Sequence, residues 1–155
     1  MAEQETEKRQ FAIQRIYTKD ASFELPQAPA VFLQNWEPQV DINLNIQINP
    51  LNDHHVEVVL VVNVEGTQDE QVTFLVEVQQ AGIFLATGFS EEEIGPLLHI
   101  GAANALFPYA RELVSSLVSR GSLPSFTLQP VNFETMYQQR LATANEQDDT
   151  ESASA

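Results

Sequence analysis

The chain has 155 residues, a common size for one domain, and carries 22 acidic against 7 basic side chains, a formal net charge of −15. This charge nearly excludes a nucleic-acid or acidic-membrane partner, because such binding depends on cations that release counterions. The chain has no cysteine, so disulfides, thiolate zinc sites and thiol nucleophiles are excluded together. We expect neither a secretory signal nor direct membrane insertion, because MAEQETEKRQ has no apolar stretch and the longest aliphatic run is residues 58–62.

Both ends of the chain are acidic and poor in large apolar residues. Residues 1–9 hold three glutamates, and residues 143–155 contain the run EQDDTESASA. Such segments bury too little apolar surface to offset the entropy of ordering, so we predict that both tails are disordered. We interpret them as solubilising segments, with docking of a partner as the alternative. Residues 10–142 then form one domain, without an internal repeat or a Gly/Ser linker.

The front half of this domain has the alternating pattern of β-strands. Every second residue is apolar over residues 40–49, which predicts a strand with one buried and one wet face. Two further strands are predicted at 56–65 and 72–79, and the first of these is apolar on both faces. An earlier strand is predicted over residues 10–22. The short polar turns between the last three strands indicate an antiparallel sheet.

The remaining segments are expected to cover this sheet. LPQAPAVFLQNWEP is too long for a hairpin turn, so we predict a crossover that packs on the sheet. Ser90 and Glu93 form a capping box, and helical spacing continues from there toward a stop at Gly121. Pro108 predicts a break into two helices, and Asn132 can cap a last short helix. The predicted fold class is α+β, with a four-stranded antiparallel sheet and helices packed on one face.

No constellation in the chain indicates a catalytic or metal centre. His54 and His55 are adjacent in a polar turn, and His99 stands alone on a helical stretch, so we predict a solvated turn and a packed side chain. The common nucleotide-binding, hydrolase and zinc-protease motifs are absent. A hydrolase with paired carboxylates remains an alternative, because sequence cannot supply the spacing that would define such a pair.

The strand at 56–65 leaves more apolar surface than the helices can cover. Surplus apolar surface in an acidic protein indicates self-association, burial of a ligand or a groove for a partner. Self-association is the first expectation, because symmetric oligomers close most such surfaces. A small monomeric domain with one closed ligand cavity is the alternative.

Four stretches of the chain, FAIQRIYTKDASFELPQAP, FLVEVQQAGIF, FPYARELVSSLVSRG and LPSFTLQPVNFE, resemble the SecB family of bacterial protein-export chaperones. The resemblance covers residues 10–140 and departs in the NPLNDHHVE turn and the EEEIGPLLHIGAAN stretch. It implies a cytoplasmic homotetramer built as a dimer of dimers, without enzymatic activity or cofactor. It also implies an ATP-independent chaperone that holds precursor proteins unfolded and delivers them to the SecA motor for export through the Sec translocon.

The resemblance further implies three sets of site residues. SecA binding falls on an acidic strand face, at Asp20, Glu24, Leu75 and Glu77. Tetramer assembly falls on the opposite face of one strand, at Val76, Val78 and Gln80, in agreement with the alternation of side chains. The client groove falls between the sheet, the crossover and the main helix, at Phe32, Trp36, Val40, Ile42, Leu44, Leu123 and Phe126. Several of these apolar residues could equally belong to the core.

Overall fold

The four strands of the protein form one antiparallel sheet. The structure is a computed structural model that describes residues 8–153. The strands are β1 (Gln10–Glu24), β2 (Gln39–Pro50), β3 (His55–Gln68) and β4 (Gln71–Thr87). Their order in the sheet is β1-β4-β3-β2, so that β1 and β2 are the outermost strands.

The crossover between β1 and β2 has to pass from one edge of the sheet to the other. It contains a 3-10 turn at Ala30–Leu33, in which Val31 is buried. Farther along, the Trp36 ring packs on Phe74 of β4 with 5.9 Å between ring centroids. The predicted crossover is therefore confirmed, and it is held to the sheet by apolar side chains.

Strand β4 continues eight residues beyond its predicted end. Gly82 interrupts the apolar alternation there, yet the strand needs a residue without a side chain at this position. A Cβ atom on Gly82 would lie 3.0 Å from the Arg15 carbonyl oxygen and 3.1 Å from a Leu106 methyl group. The glycine thus permits close packing inside the sheet, where a glycine often marks a close approach of backbone.

The helical half begins at the predicted cap. Ser90 Oγ accepts a hydrogen bond from the Glu93 amide at 3.2 Å, and α1 (Glu91–Pro96) follows. A π-helical segment (Leu97–Ala102) joins α1 to α2 (Ala103–Arg120). The predicted break at Pro108 is wrong, since Pro108 lies inside α2. The helical stretch is irregular instead directly after Pro96. A proline has no backbone N–H to donate, and the π-helical segment accommodates the shift in the backbone hydrogen-bond pattern.

The last helix, α3 (Phe133–Ala153), is longer than predicted. Asn132 caps it as expected, because its Oδ1 accepts a hydrogen bond from the Thr135 amide at 3.0 Å. The helix continues through residues 143–153, where the sequence predicted a disordered tail. Side chains are exposed over residues 141–147, so burial does not account for this extension. Residues 1–7 and 154–155 of the predicted tails lie outside the described part of the chain.

The two faces of the sheet have different surroundings. The main core lies between α2 and the face of the sheet that α2 covers. On the sheet it includes Val58, Leu60, Val76 and Val78. We call the other side of the sheet the open face. It carries a small apolar cluster of Val59, Val61 and Ala81, against which Tyr17 packs. The predicted four-stranded antiparallel sheet with helices on one face is thus confirmed.

Candidate functional site

Strand β1 contains two bulges, and the second, which reverses the shift made by the first, sets the face on which its acidic residues lie. The pairing of β1 with β4 shifts between Ile13 and Arg15 and again between Thr18 and Asp20. Beyond the second shift, Asp20 pairs with Gln79. Residues directly opposite each other in a sheet share a face, and Gln79 lies on the open face.

All four residues predicted to bind SecA lie on this open face. Glu24 pairs directly with Leu75, and Glu77 pairs with Ser22 of β1. Leu75 and Glu77 alternate with Val76 and Val78 of the core, so they point away from the helices. The structure therefore brings the predicted set together on two neighbouring strands.

Two further carboxylates that sequence reasoning missed extend this surface. Glu65 of β3 pairs with Leu75, and Asp41 of β2 pairs with Glu65. One row across the sheet therefore has three acids around a leucine, in the order Asp41, Glu65, Leu75, Glu24. Each acid stands on the polar side of its own strand, but only the register between strands places them in one row. We call this row and the neighbouring Asp20 and Glu77 the acidic face.

A polar network around Glu57 lies on the same side of the sheet. Glu57 is only 9% exposed, and its carboxylate accepts hydrogen bonds from the Tyr17 hydroxyl, from Lys19 Nζ at 2.9 Å and from Asn49 Nδ2 at 2.9 Å. The hydrogen bond from Tyr17 is the main cause that lowers the pKa of Glu57 to about 2, against the opposing effect of burial, and Lys19 and Asn49 lower it further. Burial, followed by the bond to Glu57, raises the pKa of Tyr17 to about 12.

The residues predicted to govern assembly lie inside the protomer. Val76 and Val78 are 0% exposed in the main core. Gln80 is also buried, and its Nε2 donates to the Tyr17 carbonyl oxygen at 3.1 Å, which ties β4 to the edge strand β1. Their side chains contact the chain's own core and edge strand, so any effect on assembly would act through these elements.

Three of the residues predicted to form the client groove lie together beside the start of β2. Trp36, Val40 and Phe126 line one small cavity of about 80 Å³ together with Phe74 and Val118. Phe32 is half exposed on the 3-10 turn of the crossover. Its neighbour Leu33 is 92% exposed, and sequence reasoning missed it although it continues the same apolar run. The crossover thus offers apolar side chains to solvent next to a partly filled cleft.

The other predicted groove residues are divided along β2. Ile42 is exposed, and Leu44 lines a second cavity of about 200 Å³ with Ile46 of β2 and residues of α3. Leu123 lies in the main core, so it contributes to packing and not to an open groove. We call the surface along Val40, Ile42 and Leu44, with the two cavities at its ends, the β2 groove.

Helix α3 closes the second cavity through an aromatic contact. The His99 ring of the π-helical segment stacks on Tyr137 with 5.0 Å between centroids. The Tyr137 hydroxyl lies against Gly95, where a Cβ atom would approach it to 2.6 Å. Burial, and then the nearby Arg140, lowers the pKa of His99, so the neutral ring is favoured. The prediction of a packed His99 is confirmed.

The remaining histidines lie at the β2–β3 turn. Asn52 Oδ1 accepts hydrogen bonds from the backbone amides of His54 and His55, at 2.9 and 2.8 Å. No group of three or more metal-ligating side chains occurs among residues 8–153. Within the same described range, no helix is long and apolar enough to cross a membrane.

The sheet thus has two outermost strands, the acidic face on one side and the apolar β2 groove on the other, surfaces of the kind found in polypeptide-binding proteins. The model of the family described as preprotein translocase subunit SecB matches residues 4–144. The chain therefore belongs to the SecB family, whose members are non-enzymatic chaperones of preprotein translocation.

Curated relatives and one solved structure agree with this assignment. The chain is 47% identical to the protein-export protein SecB of Methylococcus capsulatus, over 94% of each chain. It is 47% identical to the SecB of Pseudomonas syringae pv. tomato, over 91% of this chain and 86% of the relative. A SecB-like chaperone of Mycobacterium tuberculosis, solved with a peptide from an antitoxin, is 19% identical and has the same fold, with a TM-score of 0.64 over 79% of this chain and 88% of that one.

Proposed function

We propose that this chaperone holds unfolded secretory precursors in the cytoplasm without ATP and passes them to the SecA motor. One observation carries the proposal: the apolar β2 groove and the acidic face lie on opposite sides of one sheet. Two such surfaces allow a client and a second protein to bind the same protomer at once. A handover needs this separation, because the receiving motor must dock before the client leaves.

The β2 groove is the proposed site for clients. Unfolded precursors expose apolar and aromatic side chains, for which Trp36, Phe126 and the exposed Phe32 offer contacts. Strand β2 is outermost, so its backbone can also pair with an extended client segment. The cavities at its ends hold about 80 and 200 Å³, so each has room for no more than about one client side chain. Affinity then comes from several weak sites along one client chain.

The acidic face is the proposed site for SecA. Glu24, Glu65 and Glu77 surround Leu75, with Asp20 farther along the same face, in a pattern that fits a basic segment with one apolar side chain. Opposite charges steer such an encounter and orient the two partners, and salt weakens this attraction. The apolar Leu75 adds contact area that salt does not screen.

The chaperone is proposed to act as a homotetramer, a dimer of dimers. The edge strand β1 supports this, because it is 15 residues long and half exposes Ile13. A cavity of about 640 Å³ between β1 and α2 is lined by Ile16, Pro108, Tyr109 and Leu113, an apolar surface that a second copy can cover. Val76, Val78 and Gln80 then act on assembly by holding β1 in place.

A light-scattering experiment on the full chain tests this function. A denatured protein is diluted into buffer with the chaperone, with and without ATP, and aggregation is followed. Val40→Ser should reduce the protection severalfold, because it removes apolar contact area from the β2 groove, whereas Asp41→Asn on the opposite side of β2 should leave it unchanged. Protection that depends on ATP, or that is the same for both variants, would show that the proposed client site or mechanism is wrong.

A further inference from the structure

Lys19 occupies the extra position of the second bulge in β1. Thr18 pairs with Gln80 and Asp20 pairs with Gln79, so Lys19 has no partner residue on β4. A bulge of this kind shifts the alternation of all side chains that follow it. The faces of residues 20–24 are therefore set at this one position.

The consequence of the bulge is visible in the pairing beyond it. Ala21 and Phe23 pair with Val78 and Val76 of the core, and Phe23 packs against the helix-covered side. A continuous strand without the extra residue would pair Asp20 with Val78 and turn Asp20 toward the core. A one-residue slip always exchanges the two faces in this way. Asp20 and Glu24 therefore lie on the acidic face only while the bulge stays at Lys19.

Glu57 is the side chain that holds the bulged residue. Its Oε1 lies 2.9 Å from Lys19 Nζ, and its other oxygen accepts from the Tyr17 hydroxyl, two residues before the bulge. Glu57 belongs to β3, so these bonds pass over the intervening strand β4. Ala81 of β4, which pairs with both Tyr17 and Val59, has a side chain small enough to permit this.

We propose that Glu57 is a positioning residue, which anchors Lys19 at the bulge of β1 and so keeps Asp20 and Glu24 on the acidic face. The proposal deepens the proposed function, since it rests on the acidic face being the docking site for SecA. Glu57 itself is almost fully buried and turned inward to its three donors. It acts through Lys19 and Tyr17 and makes no contact of its own with a partner.

Hydrogen exchange of the full chain, followed by mass spectrometry, tests the anchor directly. Glu57→Gln and Lys19→Met should each raise the exchange rate of residues 18–24 about tenfold, the change expected on losing one charge-assisted hydrogen bond. Exchange at residues 39–45 of β2, away from Asn49, should be unchanged. Asp53→Asn is the matched control, because it removes one charge at the exposed β2–β3 turn and leaves the network intact.

Affinity for a peptide of the SecA carboxy-terminal tail, measured by calorimetry, gives the second readout. Glu57→Gln and Lys19→Met should weaken binding about fivefold or more, although neither residue contacts the peptide. The double variant, Lys19→Met with Glu57→Gln, should lose no more protection or binding than either single variant, because both changes break the same ion pair, whereas independent losses of packing would add.

The outcomes separate the anchor from the docking site. Wild-type exchange at residues 18–24 in both single variants would overturn the proposal, and so would additive losses of protection in the double variant. If the wild-type protein does not bind the SecA tail, the docking site is wrong, while the exchange rates still decide whether Glu57 anchors the bulge. Lys19→Met retains the long aliphatic side chain, so it stays informative even if Glu57→Gln fails to fold.

Discussion

At the scale of single residues, Glu57 shows how a buried charge can be tolerated in a sheet. Three donors surround its carboxylate, and this satisfies the requirement that a buried ion be paired and hydrogen-bonded. The alternative state, protonated Glu57, would leave Lys19 without an opposite charge. The ionised form is therefore strongly favoured in the folded chain.

The low pKa of Glu57 predicts a loss of stability in acid. Its pKa falls from 4.5 to about 2 on folding, so the network stabilises the fold fully above pH 4.5. The contribution decreases as the pH falls from 4.5 toward 2, because the unfolded chain then binds a proton that the folded chain does not. Tyr17→Phe removes the largest cause of the shift and should raise the pKa of Glu57.

An NMR titration of the Glu57 side-chain carboxyl measures its pKa in the wild-type protein and in Tyr17→Phe. Denaturant unfolding between pH 5 and pH 2 gives the free energy of unfolding at each pH. This free energy should decrease less on acidification for Tyr17→Phe than for wild type, although the variant is less stable at neutral pH. A Glu57 carboxyl that titrates at its ordinary pKa in the wild-type protein would contradict the hydrogen-bond network around Glu57.

At the scale of elements, the end of α2 and strand β1 meet at Gly121. A glycine at a helix end usually supplies a left-handed conformation, but Gly121 has φ −84° and the left-handed residue is Ser122, at φ 57°. Gly121 is required for another reason: a Cβ atom would lie 2.5 Å from the Phe23 ring. The glycine allows the helix end to pack on the strand that carries the acidic face.

Two neighbouring substitutions should therefore act in opposite directions. Gly121→Ala should destabilise the fold by about 1–3 kcal/mol, because Phe23 has to move. Ser122→Gly should stabilise it by about 0.5–1 kcal/mol, since glycine adopts a positive φ without strain. Urea unfolding of both variants measures the free energies. A stabilising Gly121→Ala would show that the Phe23 ring is free to move aside.

Elements with a regular period could be predicted, and elements defined by an irregularity could not. The alternation in β2 holds over the whole strand, so its faces follow from the sequence. The bulge at Lys19 leaves no comparable trace, because Lys19, Asp20 and Ala21 suit either face of an edge strand. The π-helical segment after Pro96 is likewise a matter of backbone hydrogen bonds, which side-chain patterns do not report.

The residues of the candidate site likewise include some that the sequence could assign to a surface and some that it could not. Leu75 and Glu77 could be separated from Val76 and Val78, because one strand alternates its side chains. Asp41 and Glu65 could not be assigned to the same surface as Leu75 and Glu77, since this assignment needs the register between strands. Leu123 and Phe126 both follow α2 as apolar residues of one loop, and only their packing distinguishes core from cavity.

At the scale of the whole molecule, the distribution of charge matters more than its total. The chain has a net charge of −15, but the acidic face concentrates several carboxylates on one side of the sheet. A single exposed charge pair contributes little, roughly 0–1 kcal/mol. Several carboxylates that face one basic segment can contribute a decisive sum, above all when a symmetric oligomer repeats them.

Reversing one charge on the acidic face should consequently weaken SecA binding without affecting the fold or the client groove. Glu77→Lys is the informative variant, because Glu77 lies on the open side of β4 and its side chain is not part of the main core. Asp53→Lys changes the net charge by the same amount at the exposed β2–β3 turn and serves as the control. Calorimetric titration with the SecA carboxy-terminal tail compares the two variants with wild type.

Salt concentration is the second variable of this experiment. Wild-type affinity should fall as ionic strength rises past about 0.15 M, where the Debye length is roughly 8 Å, whereas the Glu77→Lys protein should depend less on salt. Equal losses of affinity in Glu77→Lys and Asp53→Lys would mean that net charge attracts the tail and that the face has no special role. Wild-type affinity in Glu77→Lys would place the docking surface elsewhere, since residues 75 and 77 cannot leave the open face without moving Val76 and Val78 out of the core.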